Sequence, residues 1–354
     1  MTAITSGRVT IPVWRVIRAA WFRSRLTLTV LLAAFAATAG WTLFQAVSMR
    51  SWLAAHHVQQ CATPALHGIG SACDSASDWI QFVYGDVFQA DYVIFALLGA
   101  PVVLAVFGGV RWLTREYETG SFRYTWTLGV SRMRWLAGTL LPLLAVVLAG
   151  AVACGLAYDR WSPAGLWLGN GYPSGVEWGY NEFPFTPLTF TALVLAGFGI
   201  AACAAAFIQR TVPAMAVTAA AVGGGAYLAD TRLRTWLITR HPVTVRGLYG
   251  TNSPGWPYSY VLHGWVTDHA GHTVPGLLVT PGGGMTISGQ LGNVFLSDSA
   301  ASQRAWLAAH HYTAWITYQP HSRLLILQAA WAGILLAVAI AAFALTIWRV
   351  TASR

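Results

Sequence analysis

Polar and apolar residues in this chain are segregated into long blocks and do not alternate at the short periods of a soluble fold. Six apolar runs stand out, at residues 26–49, 92–110, 135–158, within 183–209 after Pro187, 211–229 and 324–348. Each approaches or exceeds the ~20 residues an α-helix needs to cross the hydrocarbon core of a bilayer. The pattern predicts an all-α polytopic membrane protein with six transmembrane helices. Arg210 alone separates the fourth and fifth runs, which predicts a tight helical hairpin. Ahead of the first run, Pro12 suits the opening position of a helix. Val13, Val16, Ile17, Ala20 and Trp21 then share one helical face, with Arg15, Arg18 and Arg25 off it. Residues 1–25 therefore read as an amphipathic helix lying in the membrane interface. A signal peptide is the rival reading, but the run at 26–49 is long for one and ends in no clear A-x-A-like cleavage site.

The polar segments between the runs differ in character. Residues 50–91 form an outer loop that contains Cys61, Cys73, four aspartates and three histidines. Residues 159–182 are rich in Gly, Pro, Trp and Tyr, the composition of an interfacial turn. The longest segment, 230–323, mixes short Val/Thr/Tyr runs with Gly and Pro turns, then looks helical around 299–311. It reads as a small mixed α/β outer loop domain between spans five and six. Residues 111–134 are different again: RWLTREYETGSFRYTWTLGVSRMR, with five arginines and the pair Glu116 and Glu118.

Orientation follows from charge. With both termini inside, the inner segments carry 13 arginines against 2 acidic residues, and the outer ones 8 against 10. This asymmetry satisfies the positive-inside rule. Several outer arginines, among them Arg232, Arg234, Arg240 and Arg246, sit in the long segment, where the rule has little force. The expected location is a bacterial cell membrane, with cytoplasmic N- and C-termini.

Composition narrows the function. The chain is 56% hydrophobic and only 9% charged, against ~25% charged in a soluble domain. Its net charge of +9 comes from arginine alone, without one lysine. Such a basic balance suggests nucleic acid in a soluble protein, but arginines flanking apolar runs are explained by the bilayer, so no nucleic-acid partner is expected. A P-loop requires the lysine of G-x-x-x-x-G-K-[ST], and this chain cannot build one. Any ATP-driven work must come from a partner. No H-E-x-x-H or G-x-S-x-G motif is present, and no Asp or Glu falls inside a predicted span. Intramembrane proteases and proton-coupled pumps need ionisable groups at depth, so an enzyme is not expected.

The charged island resembles a known pattern. Glu116-x-Glu118-x-Gly120-Ser121, then Gly129-Val130-Ser131-Arg132 and Trp135-Leu136-Ala137-Gly138, is similar to the E-x-E-x-G-[TS] … P-[VI]-S-R … G-K pattern of type-2 ABC exporter permeases. Gly129 stands where proline is usual and Thr139 where lysine is usual. Arg210–Met215 resembles the family's span four–five hairpin, and Tyr318–Arg323 its approach to span six. The resemblance implies a permease that dimerises with a second copy or homologue and docks on a cytoplasmic ABC ATPase. That partner would hold ATP and Mg; this chain would bind no cofactor. The implied ATPase-coupling residues are Arg115, Glu116, Tyr117, Glu118, Thr119, Gly120, Ser121, Arg123 and Arg132, with Gly120 ending a short helix. The rival is an ordinary loop whose charges merely face solvent. The resemblance also implies a path between spans two and five, and the apolar, aromatic and small-residue character of the spans suits a hydrophobic or amphipathic compound (drug, antibiotic or lipid-like) better than an ion. Phe95, Phe107, Met215 and Tyr227 are the path's candidate lining, and core packing is the alternative for each.

Other chemistry is sparser. Cys61 and Cys73, in an oxidising compartment under this topology, are expected to pair as a disulfide; two free thiols are the alternative. Cys154 and Cys203 lie within spans and read as small apolar residues. The hexapeptide Trp-Leu-Ala-Ala-His-His occurs at 52–57 and again at 306–311. His56, His57, His310 and His311 could bind a metal such as zinc, but adjacent helical residues diverge by ~100° and do not readily share an ion. Amphipathic interfacial helices are the plainer reading. Two other functional classes stay open: an outer-leaflet membrane enzyme, and a sensor or immunity protein whose outer loop binds a ligand.

Overall fold

The structure is a computed structural model that describes residues 13–55, 90–120, 131–168, 183–247, 260–279, 285–287, 294–295 and 300–352. Helix α1 covers Val13–Ala55. The segment expected to lie in the interface thus runs into span one as a single helix. Span two consists of α2 (Ala90–Val103), a π-helical turn (Leu104–Val110) and α3 (Arg111–Thr119). Spans three and four are α4 (Arg132–Leu168) and α5 (Pro187–Ile208). Span five is α6 (Thr211–Leu228), a second π turn (Ala229–Arg234) and α7 (Thr235–Ile238). Helix α8 (Ala300–Ala309) lies between spans five and six, and α9 (Leu324–Ala352) is span six. All six spans are long and apolar enough to cross a membrane.

Span four is the hub. Thr186 caps its start by accepting from the Thr189 N–H, Pro187 opens the first turn, and Gln209 closes it in the left-handed region at φ 58°. Its Phe190, Phe198, Ala201, Ala202, Ala205 and Ala206 are buried against spans two, three, five and six. Small residues let helices approach closely where no hydrophobic drive exists between helix and lipid. A Cβ at Gly109 would lie 2.6 Å from the Ala201 Cβ, and one at Gly155 2.5 Å from the Pro187 Cα. Several hydroxyls in the spans are satisfied locally, while that of the buried Thr218 has no partner. Thr38, Thr42, Thr114, Thr139, Thr191 and Thr346 each bond the carbonyl four residues back, the usual way a threonine is hidden inside a helix.

Helix five continues past the end its hydrophobicity predicts. It was expected to stop at residue 229, but it runs on through the π turn to Ile238. Asp230 and Arg234 form a 2.9 Å ion pair across that turn, and the buried Trp331 indole donates to the Ala229 carbonyl at 3.1 Å. That bond fastens span six to the π turn of span five. The expectation that no acidic residue lies within a span is corrected here: the helices of span two hold Asp91, Glu116 and Glu118, that of span three Asp159, and that of span five Asp230, paired with Arg234.

Between spans five and six the described residues form six antiparallel strands in the order β1-β6-β2-β3-β4-β5. They are β1 (Val243–Arg246), β2 (Tyr260–Thr267), β3 (Thr273–Val279), β4 (Met285–Ile287), β5 (Val294–Phe295) and β6 (Thr313–Gln319). Ala314, Ile316 and Tyr318 of β6 face inward and pack with Leu307 of α8, the period-two alternation of a half-buried strand. In the β2–β3 turn, the Asp268 carboxylate accepts the His272 N–H at 2.8 Å. That bond holds its carboxyl below the usual range.

Gln319 ties the sheet to the spans. Its side chain is fully buried, and its Nε2 donates to the Ile238 carbonyl at 2.7 Å and the Arg240 carbonyl at 2.6 Å. Arg323 donates to the neighbouring His241 carbonyl. Replacing Gln319 by leucine is expected to strand the buried Ile238 carbonyl, at about 1–3 kcal/mol. Limited proteolysis should then cut faster between residues 239 and 247 than in the wild type, with the spans themselves unaffected. Equal cleavage rates would show that the amide ties nothing down.

Candidate coupling face

Four helical ends meet at the side of the bundle opposite the sheet. They are the end of α3, the start of α4, the turn between α5 and α6, and the end of α9. Helix α3 is strongly amphipathic: Trp112, Leu113, Thr114 and Glu116 are buried, while Arg111, Arg115, Glu118 and Thr119 are exposed. Glu116 and Glu118 therefore do not share a face, as two residues 200° apart on a helix cannot. Tyr117 is half-buried against the main core. Thr119 returns its hydroxyl to the Arg115 carbonyl at 2.8 Å. Gly120 ends the helix at φ 67°, its N–H donating to the Tyr117 carbonyl. That left-handed cap favours glycine because it has no Cβ.

The α5–α6 connection is two residues long, Gln209 and Arg210, and creates a local shortage. The first N–H groups of a helix need acceptors, and Arg210, at the capping position, carries donors only. Glu118 of span two fills the gap. Its Oε1 accepts the Thr211 N–H at 2.8 Å, and the Thr211 hydroxyl donates to Thr114 at 2.9 Å. A carboxylate at a helix N-terminus also sits favourably in the helix dipole. The far side of the cluster is built similarly. Ser131 caps α4 by accepting the Arg134 N–H at 3.4 Å. Arg132 donates to the Thr351 carbonyl at 3.3 Å, in the last turn of α9. Arg349 of that turn lies 5.7 Å over the Phe207 ring.

The structure thus places Arg115, Glu116, Tyr117, Glu118, Thr119, Gly120 and Arg132 at one end of the bundle; Ser121 and Arg123 lie outside the described residues. Sequence reading missed Thr114, Thr211, Arg349 and Thr351. The signal for Thr211 was available, since an arginine before a helix start leaves that start uncapped.

The other candidates are scattered. Phe107 and Tyr227 are 57% and 68% exposed, and Met215 packs on the main core. Tyr227 follows Thr211 by 16 residues, about 24 Å along the helix, and Met215 by only four, so the two do not line one constriction within this chain. The Phe95 side chain, Cys61, Cys73, His56 and His57 lie outside the described residues. Cys154 and Cys203 are free thiols. His310 and His311 are not displayed on a helix, because α8 ends at Ala309. His310 stacks on Trp306 at 4.2 Å, and His311 turns the chain at φ 55°. Among the described residues, no three His, Cys, Asp or Glu side chains gather as a metal site.

The family model described as ABC-2 membrane transporter related matches residues 18–234. No curated protein and no solved structure matches the chain.

Proposed function

Since this chain belongs to the ABC-2 membrane transporter related family, a family of ABC transporter permeases, we propose that it is the membrane half of an ATP-driven exporter. A separate cytoplasmic ATPase docks on the end of α3, and a second permease copy or homologue completes the transporter. ATP and Mg belong to the ATPase. The arginine-rich end of the bundle faces the cytoplasm, so both termini lie inside and the sheet lies outside. The cargo is a hydrophobic or amphipathic compound, because the spans are lined by aromatic and small apolar groups and Asp230 is paired with Arg234.

The Glu118–Thr211 bond carries this reading. With the Thr211–Thr114 hydroxyl contact beside it, it joins the end of span two to the start of span five at the surface where an ATPase would push. Displacement of α3 is thereby transmitted to α6 without passing through a flexible loop. Exposed Arg115 and Glu118 give that surface charge of both signs, which sets register with a protein partner more than affinity. Affinity purification of the full chain from its native membranes tests the proposal. A stoichiometric ABC ATPase should co-purify, and pairing Arg115→Glu with Glu118→Arg should remove it. Recovery of the intact permease in mild detergent without any ATPase would refute the reading.

A further inference from the structure

On the sheet side of the bundle, an open groove of about 900 Å³ runs between span five and span six. Its walls are apolar: Gly225 and Leu228 from α6, and Ile334, Leu335 and Val338 from α9. Its upper end is formed by the π turn and α7, where Arg232 and Trp236 line it. Arg240 stacks on Trp236, its guanidinium 4.0 Å from the ring centre. The nearby carboxylate, Asp230, is bound to Arg234, so the mouth carries positive charge from Arg232 and Arg240. The hydroxyls of Thr231, Thr235 and Thr239 bond carbonyls of their own helix, which leaves the groove wall apolar below its charged rim.

We infer that this groove is a binding site for one anionic phospholipid of the sheet-side leaflet, its phosphate on Arg232 and one acyl chain lying between α6 and α9. Three observations select that occupant. Its Leu228, Trp236, Ile334 and Val338 are exposed large apolar side chains on two membrane-capable helices, so the groove lies on the outside of the bundle. From Gly225 to Arg232 its apolar wall extends about 10 Å at 1.5 Å per residue, which covers the upper part of an acyl chain whose headgroup sits at Arg232. Its rim joins an arginine to a tryptophan, the pair suited to phosphate and to the headgroup boundary. Gly225, Leu228, Arg232 and Trp236 recur at helical spacing, so span five presents the apolar wall and the charged rim along one continuous stripe. This inference rests on the groove and on membrane insertion, and it holds whether or not an ATPase docks at the other end.

Native mass spectrometry of the full chain, purified in detergent and titrated with phosphatidylglycerol or phosphatidylethanolamine, provides the test. The wild type should retain one phosphatidylglycerol per chain in preference to phosphatidylethanolamine. Arg232→Gln should weaken phosphatidylglycerol retention about tenfold, the scale of one charge-assisted hydrogen bond, and leave phosphatidylethanolamine unchanged. Gly225→Trp should abolish retention of both. A Cβ at Gly225 meets nothing within 4 Å, so the bulky ring enters the groove and not the packed core. Gly224→Trp, at an equally open position outside the groove, should bind like the wild type and controls for folding. Equal retention of the two lipids by the wild type, or unchanged phosphatidylglycerol binding in Arg232→Gln or Gly225→Trp, would overturn the inference. It would also fall if Gly225→Trp split a dimer without altering lipid retention, since a second copy of the chain would then be the occupant.

Discussion

Replacing Glu118 by arginine is expected to abolish coupled transport while leaving the permease folded. The side chain is exposed, and its role is to accept the first N–H of α6. Arginine removes the acceptor and places a positive charge at a helix N-terminus that favours a negative one. Thr211 then has no capping carboxylate, and the end of α3 keeps only the Thr211–Thr114 hydroxyl contact with span five. Cargo-dependent ATP turnover should fall by about tenfold or more, within the usual range of a coupling free energy between two sites. Glu118→Gln separates two causes. Its amide oxygen can still accept from Thr211, so a purely geometric clamp would keep most activity, whereas a charge contact with the ATPase would be lost in both variants. Wild-type turnover in Glu118→Arg, with normal ATPase association, would remove this residue from the coupling path.

Gly155→Ala is the second large effect expected. In an open helix this change gains stability, up to ~1 kcal/mol. At Gly155 the added Cβ would lie 2.5 Å from the Pro187 Cα, a backbone atom at the fixed start of span four that cannot rotate away. Overpacking of this kind costs about 1–3 kcal/mol and more when neither backbone yields. The unfolding midpoint in detergent should drop by several degrees. Gly40→Ala and Gly333→Ala, where a Cβ meets nothing within 4 Å, should hold or raise it. A Gly155→Ala midpoint equal to the wild type would show that spans three and four separate more readily than their packing implies.

Both predictions turn on contacts between residues far apart in the chain, and the limits of sequence reading lie there. Gly120 ending a helix was legible, because a glycine after T-R-E-Y-E-T is a local signal and its left-handed geometry depends on its own backbone. The Gln209–Arg210 hairpin was legible for the same reason. The partner of Glu118 was not, since Thr211 lies 93 positions away and nothing in E-x-E-x-G states which helix needs an acceptor. The two glutamates also looked alike in sequence, yet the helix turns Glu116 inward and Glu118 outward.

By itself the sequence determined the six spans and the presence of a small β-rich segment before span six. Hydrophobic run length and two-residue alternation are properties of neighbouring residues, and each run meets the bilayer or its sheet partner largely on its own account. Only the tertiary structure decided where helix five ends, which carboxylate caps it, and how Gln319 binds the sheet to the spans. Hydropathy falls at Asp230, so a local reading stops the helix there. The helix continues through Asp230 paired with Arg234 four residues on, and Trp331, arriving from span six, donates to the Ala229 carbonyl and holds the turn against the bundle.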